Sequence, residues 1–307
     1  MTSIPDRSPI RHSAASTGVH SPVDVALDTQ GTAGAVVHTA ITGLTLAAAA
    51  AGFKLDGAGV TLLCCGAILL LGLPHGALDM LGLLRSPRRV RAVGFYLALA
   101  GATAALWWAI PGAALLLFFA MAIGHFSEDW PGPGLIANGS ALALLAAPVV
   151  LHRGVIDALF AVIVDGAIPP LAVALLLLAP VAIAAGLTSC ALLWNAGRPV
   201  RAVSSAAALA GALWLPPLVG FALAFGLFHS PRQFARGVEG IAARQWRKPV
   251  AAASLASFLL VALIAGTGAP GFSAGMLRGT FIVLSVLTVP HMLMPLILRW
   301  ARYRRHG

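Results

Sequence analysis

An all-α, polytopic membrane helix bundle of about eight to nine transmembrane helices is the fold this sequence predicts. Three observations carry that reading. The 307 residues are 59% hydrophobic and only 10% charged, against about 25% charged in a soluble domain. The mean hydropathy is +0.90. The apolar runs are continuous rather than alternating, so they suit helices crossing a hydrocarbon core of about 30 Å and not lipid-exposed strands.

The elements follow in chain order. Residues 1–34 are rich in Ser, Thr, Pro and Gly, and they read as a disordered N-terminal tail. They lack the apolar core and cleavage site of a signal peptide. Residues 35–300 form a multi-pass membrane domain, and 301–307 a basic C-terminal tail. Within the domain, apolar segments run over 35–53, 58–84, 92–110, 112–130, 134–152, 168–194, 202–230, 250–268 and 276–299. The 134–152 segment is the weakest, interrupted by Asn138, Gly139 and Pro148. "GVIDALFAVIVDG" (154–166) is too short to span and carries Asp157 and Asp165, so it reads as an interfacial helix.

The net charge of +10 gathers beside these segments, in "RSPRRVR" (85–91), "RQWRKP" (244–249) and "RWARYRR" (299–305). Short basic clusters next to spans belong to insertion and anionic headgroups, and no nucleic-acid partner is expected. With nine spans the basic loops cannot all share one face. Orientation therefore stays open, with a mild preference for a cytoplasmic 85–91 loop. Cys64, Cys65 and Cys190 lie inside apolar runs and read as small buried hydrophobes, with no disulfide framework.

The polar residues inside the runs are the informative ones. His38, His75, His125, His229 and His291 lie in or at the ends of spans, where ionisable side chains are costly and mark function by default. "GLPHGALD" places Asp79 four residues after His75, and "AIGHFSED" places Glu128 and Asp129 after His125. A carboxylate at i+4 shares the helical face of its histidine and can reach back to it. "GLFHSPRQF" follows His229 with Arg232 and Gln233, and "VPHMLMP" carries His291. Four histidines on four helices meet only inside a bundle. Their imidazoles suit iron, zinc, copper or nickel rather than Mg²⁺ or Ca²⁺. Haem between facing histidines and a proton or ion pathway are the competing readings, and spacing alone does not separate the three. The many Ala and Gly residues point to close helix packing more than to a tunnel. Arg232 leads into a basic loop and reads as a membrane-edge charge, with an ion pair to Asp79 or Asp129 as its alternative.

"GLPHGALD", "GHFSED", "FHSPRQF" and "VPHMLMP", in this order and on separate helices, resemble the Brp/Blh family of bacterial and archaeal membrane proteins. The resemblance runs from about residue 35 to 300, and "PHGALD" is its most specific block. It implies a membrane β-carotene 15,15′-dioxygenase that uses O₂ and non-haem Fe²⁺ to make retinal, in the cell membrane, from a substrate delivered through the bilayer. It implies iron ligation by His75, His125 and His229, with His291 matching the family's C-terminal Pro-His. Asp79, Glu128 and Asp129 would support the ligands, with Arg232 and Gln233 at the edge. One position departs: the family's third block reads His-Ser-x-Arg-His, and Gln233 stands where its second histidine falls. Either His291 completes a four-histidine shell or cleavage is altered. The alternatives are a proton- or ion-translocating protein built on the same residues and a non-catalytic carotenoid- or retinal-binding relative.

Overall fold

The computed structural model describes residues 22–266 and 271–303. It contains helices and no strand among the described residues. The first helix, α1 (Pro22–Ala50), begins inside the stretch expected to be a tail. The polar residues 22–34 continue the periodic helix that follows them. Residues 1–21 and 304–307 of the two expected tails lie outside the described residues.

Among the described residues, eight helices are long and apolar enough to cross a membrane. After α1 come α2 (Ala58–Arg85), α3 (Arg89–Ala109), α4 (Pro111–Asp129), α5 (Gly134–Val164) and α6 (Pro169–Asn195). The chain then makes a shorter pair, α7 (Pro199–Trp214) and α8 (217–238), before α9 (Ala243–Ala265), α10 (Phe272–Met292) and the terminal α11 (Met294–Tyr303).

Three boundaries differ from the sequence reading, each for a local reason. The segment expected at 202–230 as one span is two helices, because Pro216 and Pro217 break the run after Trp214. The interfacial helix expected at 154–166 is the second half of α5. Pro148 sits inside α5 without ending it, and the helix bends four residues later at His152, whose φ of −126° and ψ of 29° are not helical. The stretch 134–152 looked weakest because Asn138, Gly139 and Pro148 interrupt it, yet its many small residues pack it deep in the bundle. Ala137, Ala141, Ala143, Ala146 and Ala147 are all buried. A β-carbon at Gly139 would collide with Ala185 of α6, and Ser140 hydrogen-bonds Ser189 across the same seam at 2.9 Å. Small residues let backbones approach where lipid offers no hydrophobic drive between helices. Cys64 and Cys65 are buried as expected, and Cys190 is half-buried.

Cross-links between helix ends bring the chemistry to one end of the bundle. Arg85 donates to Gln245 at 2.6 Å, joining the ends of α2 and the start of α9. The α11 helix packs against α3 and the end of α2, with Ile297 fully buried. The basic clusters at 85–91, 244–249 and 299–303 therefore gather at the end where α2, α4 and α10 finish. The opposite end carries the Arg278–Asp165 pair at 3.0 Å.

Two helices that meet at this end share an unusual device. α2 contains a π-helical stretch at Ile68–Gly72, and α8 contains one at Ala224–His229. In each case a proline follows two residues later, Pro74 and Pro231. A proline cannot donate to the helix ladder and clashes with the carbonyl four residues back. Widening the preceding turn relieves that clash without ending the helix, and such π turns cluster at functional sites. The two π stretches lie against each other. A β-carbon at Gly72 would overlap the Phe225 ring, and one at Gly226 would press on Leu71 at 3.3 Å. Glycine at both positions is what lets α2 and α8 come so close.

Candidate metal centre

The π stretch of α2 rotates His75 inwards, and that of α8 ends on His229. His125 sits in the last turn of α4, and His291 follows Pro290 near the end of α10. The four imidazoles converge. Ring centroids lie 5.7 Å apart for His75–His125 and 5.2 Å for His75–His229. They lie 4.6 Å apart for His125–His229 and 4.9 Å for His125–His291. His75, His125 and His291 each offer a nitrogen, and the three lie within 4.8 Å of one another. His229 packs edge-on beside that trio. The fifth intramembrane histidine, His38, stands apart from it and bonds Ser204 of α7 at 3.0 Å.

The hydrogen bonds fix which nitrogen each ring presents. Ser230 Oγ donates its one proton to the Gly72 carbonyl at 3.0 Å, so it can only accept from His75 Nδ1–H at 2.7 Å. His75 Nε2 is then left with a bare lone pair. His229 Nδ1–H donates to Asp129 Oδ2 at 2.5 Å, and His291 Nδ1–H to Asp79 Oδ2 at 2.8 Å. A carboxylate only accepts, so in the neutral form of both rings Nε2 is the nitrogen left unprotonated. His229 Nε2 is buried and has no hydrogen-bond partner. His125 is buried with neither nitrogen bonded, its Nδ1 lying 3.8 Å from Glu128 Oε1. Buried imidazole nitrogens without partners are costly unless something takes them. Neutral imidazoles oriented through Nδ1 onto a carboxylate or hydroxyl match the support that metal-ligating histidines receive.

The sequence pattern placed the carboxylates correctly in kind but not in pairing. Asp79 was expected to reach back to His75 and Asp129 to His125. Each instead crosses to another helix, Asp79 to His291 and Asp129 to His229. The helix breaks between His75 and Asp79, ending at Ala77 and resuming at Asp79, with Leu78 N–H bonded only three residues back to the His75 carbonyl at 3.2 Å, so the regular i+4 register does not hold across the pair. Asp129 lies beyond the end of the regular α-helix, on a 3-10 turn (Ser127–Asp129) that points it across to α8. Its side chain is 1% exposed. It is satisfied by His229, by Gln233 Nε2 at 3.4 Å and by Arg236 at 3.8 Å. Only Glu128 keeps its place beside the histidine of its own helix.

Arg232 is drawn inwards rather than standing as a membrane-edge charge, which favours the alternative of an interaction with Asp129. Its guanidinium lies over the Phe228 ring at 3.8 Å and reaches Ser204 Oγ at 3.5 Å. It reaches towards α7 while its charge still acts on Asp129, whose ion pair within 4 Å is with Arg236. Ser230 and Arg236 went unnoticed in the sequence. The signal that could have found Ser230 is its place directly after His229, at the exit of a strained Pro-capped turn.

A cavity of about 250 Å³ opens beside the histidines. His75, His125 and His291 form its polar end, and Phe118, Phe225 and Leu284 are among its apolar walls. It is bordered by Leu97 of α3 and Ala256 of α9, both exposed on the outer surface of the bundle. An opening there faces lipid. The site thus combines a nitrogen-rich pole, suited to a borderline transition metal, with a carbon-lined approach from the bilayer.

Comparison with known proteins agrees with this chemistry. Residues 66–299 match the family model described as beta-carotene 15,15′-dioxygenase. A curated relative named beta-carotene 15,15′-dioxygenase, from uncultured marine bacterium 66A03, is 28% identical over 261 residues. That alignment covers 74% of this chain and 90% of the relative. No solved structure matches.

Proposed function

Because the chain belongs to the beta-carotene 15,15′-dioxygenase family, we propose that it is an iron-dependent carotenoid cleavage enzyme of the cell membrane. It splits the central 15,15′ double bond of β-carotene, or of a closely related carotenoid, to give retinal. The observation that carries this reading is the set of close-set imidazole nitrogens at the polar end of an apolar cavity. His75, His125 and His291, with His229 beside them, would hold Fe²⁺, which supplies a centre able to react with ground-state O₂. One C=C bond breaks, and each of its carbons takes one oxygen atom of O₂. Two aldehydes result, with no further oxidant or reductant.

The chain's own work is orientation. Ser230, Asp79 and Asp129 hold three imidazoles in one tautomer, so each presents Nε2 without rearrangement. The carbon walls exclude water and suit a polyene, which has no hydrogen-bonding group to recognise. Selection among its many double bonds must come from shape and position. A hydrocarbon dissolved in the bilayer enters through the side of the bundle, which accounts for an oxygenase embedded in lipid. The carbon-lined cavity is a poor ion route, so it favours this reading over translocation.

Expression in a β-carotene-producing host tests it. Loss of orange colour with retinal appearing by chromatography is the expected result. Persistent colour at full expression would count against cleavage. Stoichiometric iron in the purified protein, lost in His75→Ala together with activity, is the second expectation. An iron-free wild type, or an active His75→Ala variant, would sink the iron assignment.

A further inference from the structure

Four phenylalanines close the deep end of the cavity and separate it from a second one. Phe118 and Phe225 line the first cavity, and Phe221 and Phe281 line the second. Their rings touch in sequence. Phe225 stacks on Phe221 at 5.7 Å with 5° between planes, Phe221 meets Phe281 at 5.5 Å, and Phe281 meets Phe118 edge-on at 6.2 Å. The second cavity, about 60 Å³, lies between α4, α5, α8 and α10, and every side chain around it is apolar. Leu145, Pro148, Phe160 and Leu218 belong to that lining. Pro148 lies four residues before the bend of α5 at His152.

Two features make the wall adjustable. Phe225 lies inside the π stretch of α8, whose widened turn carries weaker ladder geometry than an α-helix. Its ring also packs on the bare backbone at Gly72, with no side chain there to lock it. Phe225 touches the metal pole directly as well, 5.8 Å from both His75 and His229. A shift of this ring would therefore be felt at the histidines.

On the cleavage reading above, the substrate reacts at its midpoint, so two arms of equal length must leave the histidines. The first cavity falls below the about 300–1,000 Å³ of pockets that enclose a whole drug-sized ligand, and its mouth faces lipid. One arm can stay in that mouth. We propose that the other arm passes the phenylalanine wall, and that its end group seats in the second cavity. The distance from that seat to the histidines then acts as a ruler that brings the central double bond to the metal. The second cavity, at about 60 Å³ against the about 150 Å³ that holds a benzene ring, takes an apolar terminus as the phenylalanine wall shifts, and Phe221, Phe225 and Phe281 set regiochemistry without touching the reacting atoms.

Leu218→Trp fills the second cavity. Wild type and this variant are compared on β-carotene and on an apocarotenal shortened in one arm, with product chain lengths read by chromatography. The variant should lose about tenfold or more of its rate on β-carotene, or shift to unequal products, while still cleaving the shortened substrate. Cleavage of β-carotene at the wild-type rate to retinal alone would overturn the proposal. Where Leu218→Trp does not accumulate in the membrane, Phe221→Ala decides. Products of unequal length support the ruler, and retinal alone overturns it. β-Carotene retained by chelator-treated protein, measured by visible absorbance, tests the seat without catalysis: wild type retains it and Leu218→Trp does not. Wild type that cleaves neither substrate would count against the cleavage reading itself, and the absorbance result would still judge the second cavity.

Discussion

Two buried histidines in this bundle each pair Nδ1 with a serine hydroxyl, and they end in opposite states. His75 meets Ser230 at 2.7 Å, and His38 meets Ser204 at 3.0 Å. Ser230 spends its proton on the Gly72 carbonyl, so His75 must donate and its Nε2 is a lone pair. Ser204 faces the Arg232 guanidinium at 3.5 Å, which brings only donors. Its proton turns to His38, which then carries its own hydrogen on Nε2. The same two side chains thus leave an Nε2 lone pair on His75 within the cluster and a buried, unpartnered Nε2–H on His38 outside it. The third partner of the serine makes the difference. An intramembrane histidine is a candidate site by default; what it becomes depends on where the neighbouring proton goes.

Removing one histidine from each place gives the largest contrast. His125→Ala deletes the ring whose two nitrogens have no hydrogen-bond partner. Iron content and cleavage should fall more than about 100-fold, beyond the 10–100-fold typical of losing a supporting partner. His38→Ala should leave iron stoichiometry unchanged, because its ring lies outside the cluster. Equal iron loss in both variants, measured by metal analysis on membranes with matched protein, would erase the distinction.

The supporting partners give a smaller contrast. Asp129→Asn keeps the shape but can no longer accept from His229 as a carboxylate, and it leaves Arg236 without its counter-charge. Iron affinity, read by chelator competition, should weaken by about 10–100-fold. Ser204→Ala leaves His38 Nδ1 buried and unpaired, which costs about 1–3 kcal/mol of stability. Its iron affinity should match wild type while its thermal midpoint falls. A Ser204→Ala protein that loses iron would show that the two histidine sites are one unit.

The sequence made the all-α bundle legible, because continuous apolar runs leave a membrane little other choice. The histidines were legible for a related reason: a bilayer tolerates such residues only where they are used. The pairing was not. An i+4 rule assumes a regular helix, and the break at Leu78 and the 3-10 turn at Ser127–Asp129 end that regularity between each histidine and its carboxylate. A serine such as Ser230 carries no signal until the carbonyl that takes its proton is known. Arg232 was misread because "RQFAR" looks like a loop entrance, while Phe228 and Ser204 draw it inwards. The hairpin at Pro216–Pro217 and the bend at His152 were missed because proline breaks a helix in one context and sits inside it in another.

The smallest expected effect belongs to Gln233, where the resembled family has a histidine. Gln233 does not face the histidine pole as a substitute ligand. Its Nε2 donates to Asp129 Oδ1 at 3.4 Å, on the far side of the carboxylate that holds His229. His291 meanwhile stands in the trio of close nitrogens. A histidine at 233 could replace the amide as a donor to the same oxygen while the inner rings stay as they are. Gln233→His should therefore change iron affinity by no more than about threefold, well short of the 1.4 kcal/mol that makes a factor of ten. A tenfold gain in iron affinity or cleavage would mean the new imidazole enters the inner set. It would also mean that His229, rather than His291, is the ring around which that set is arranged.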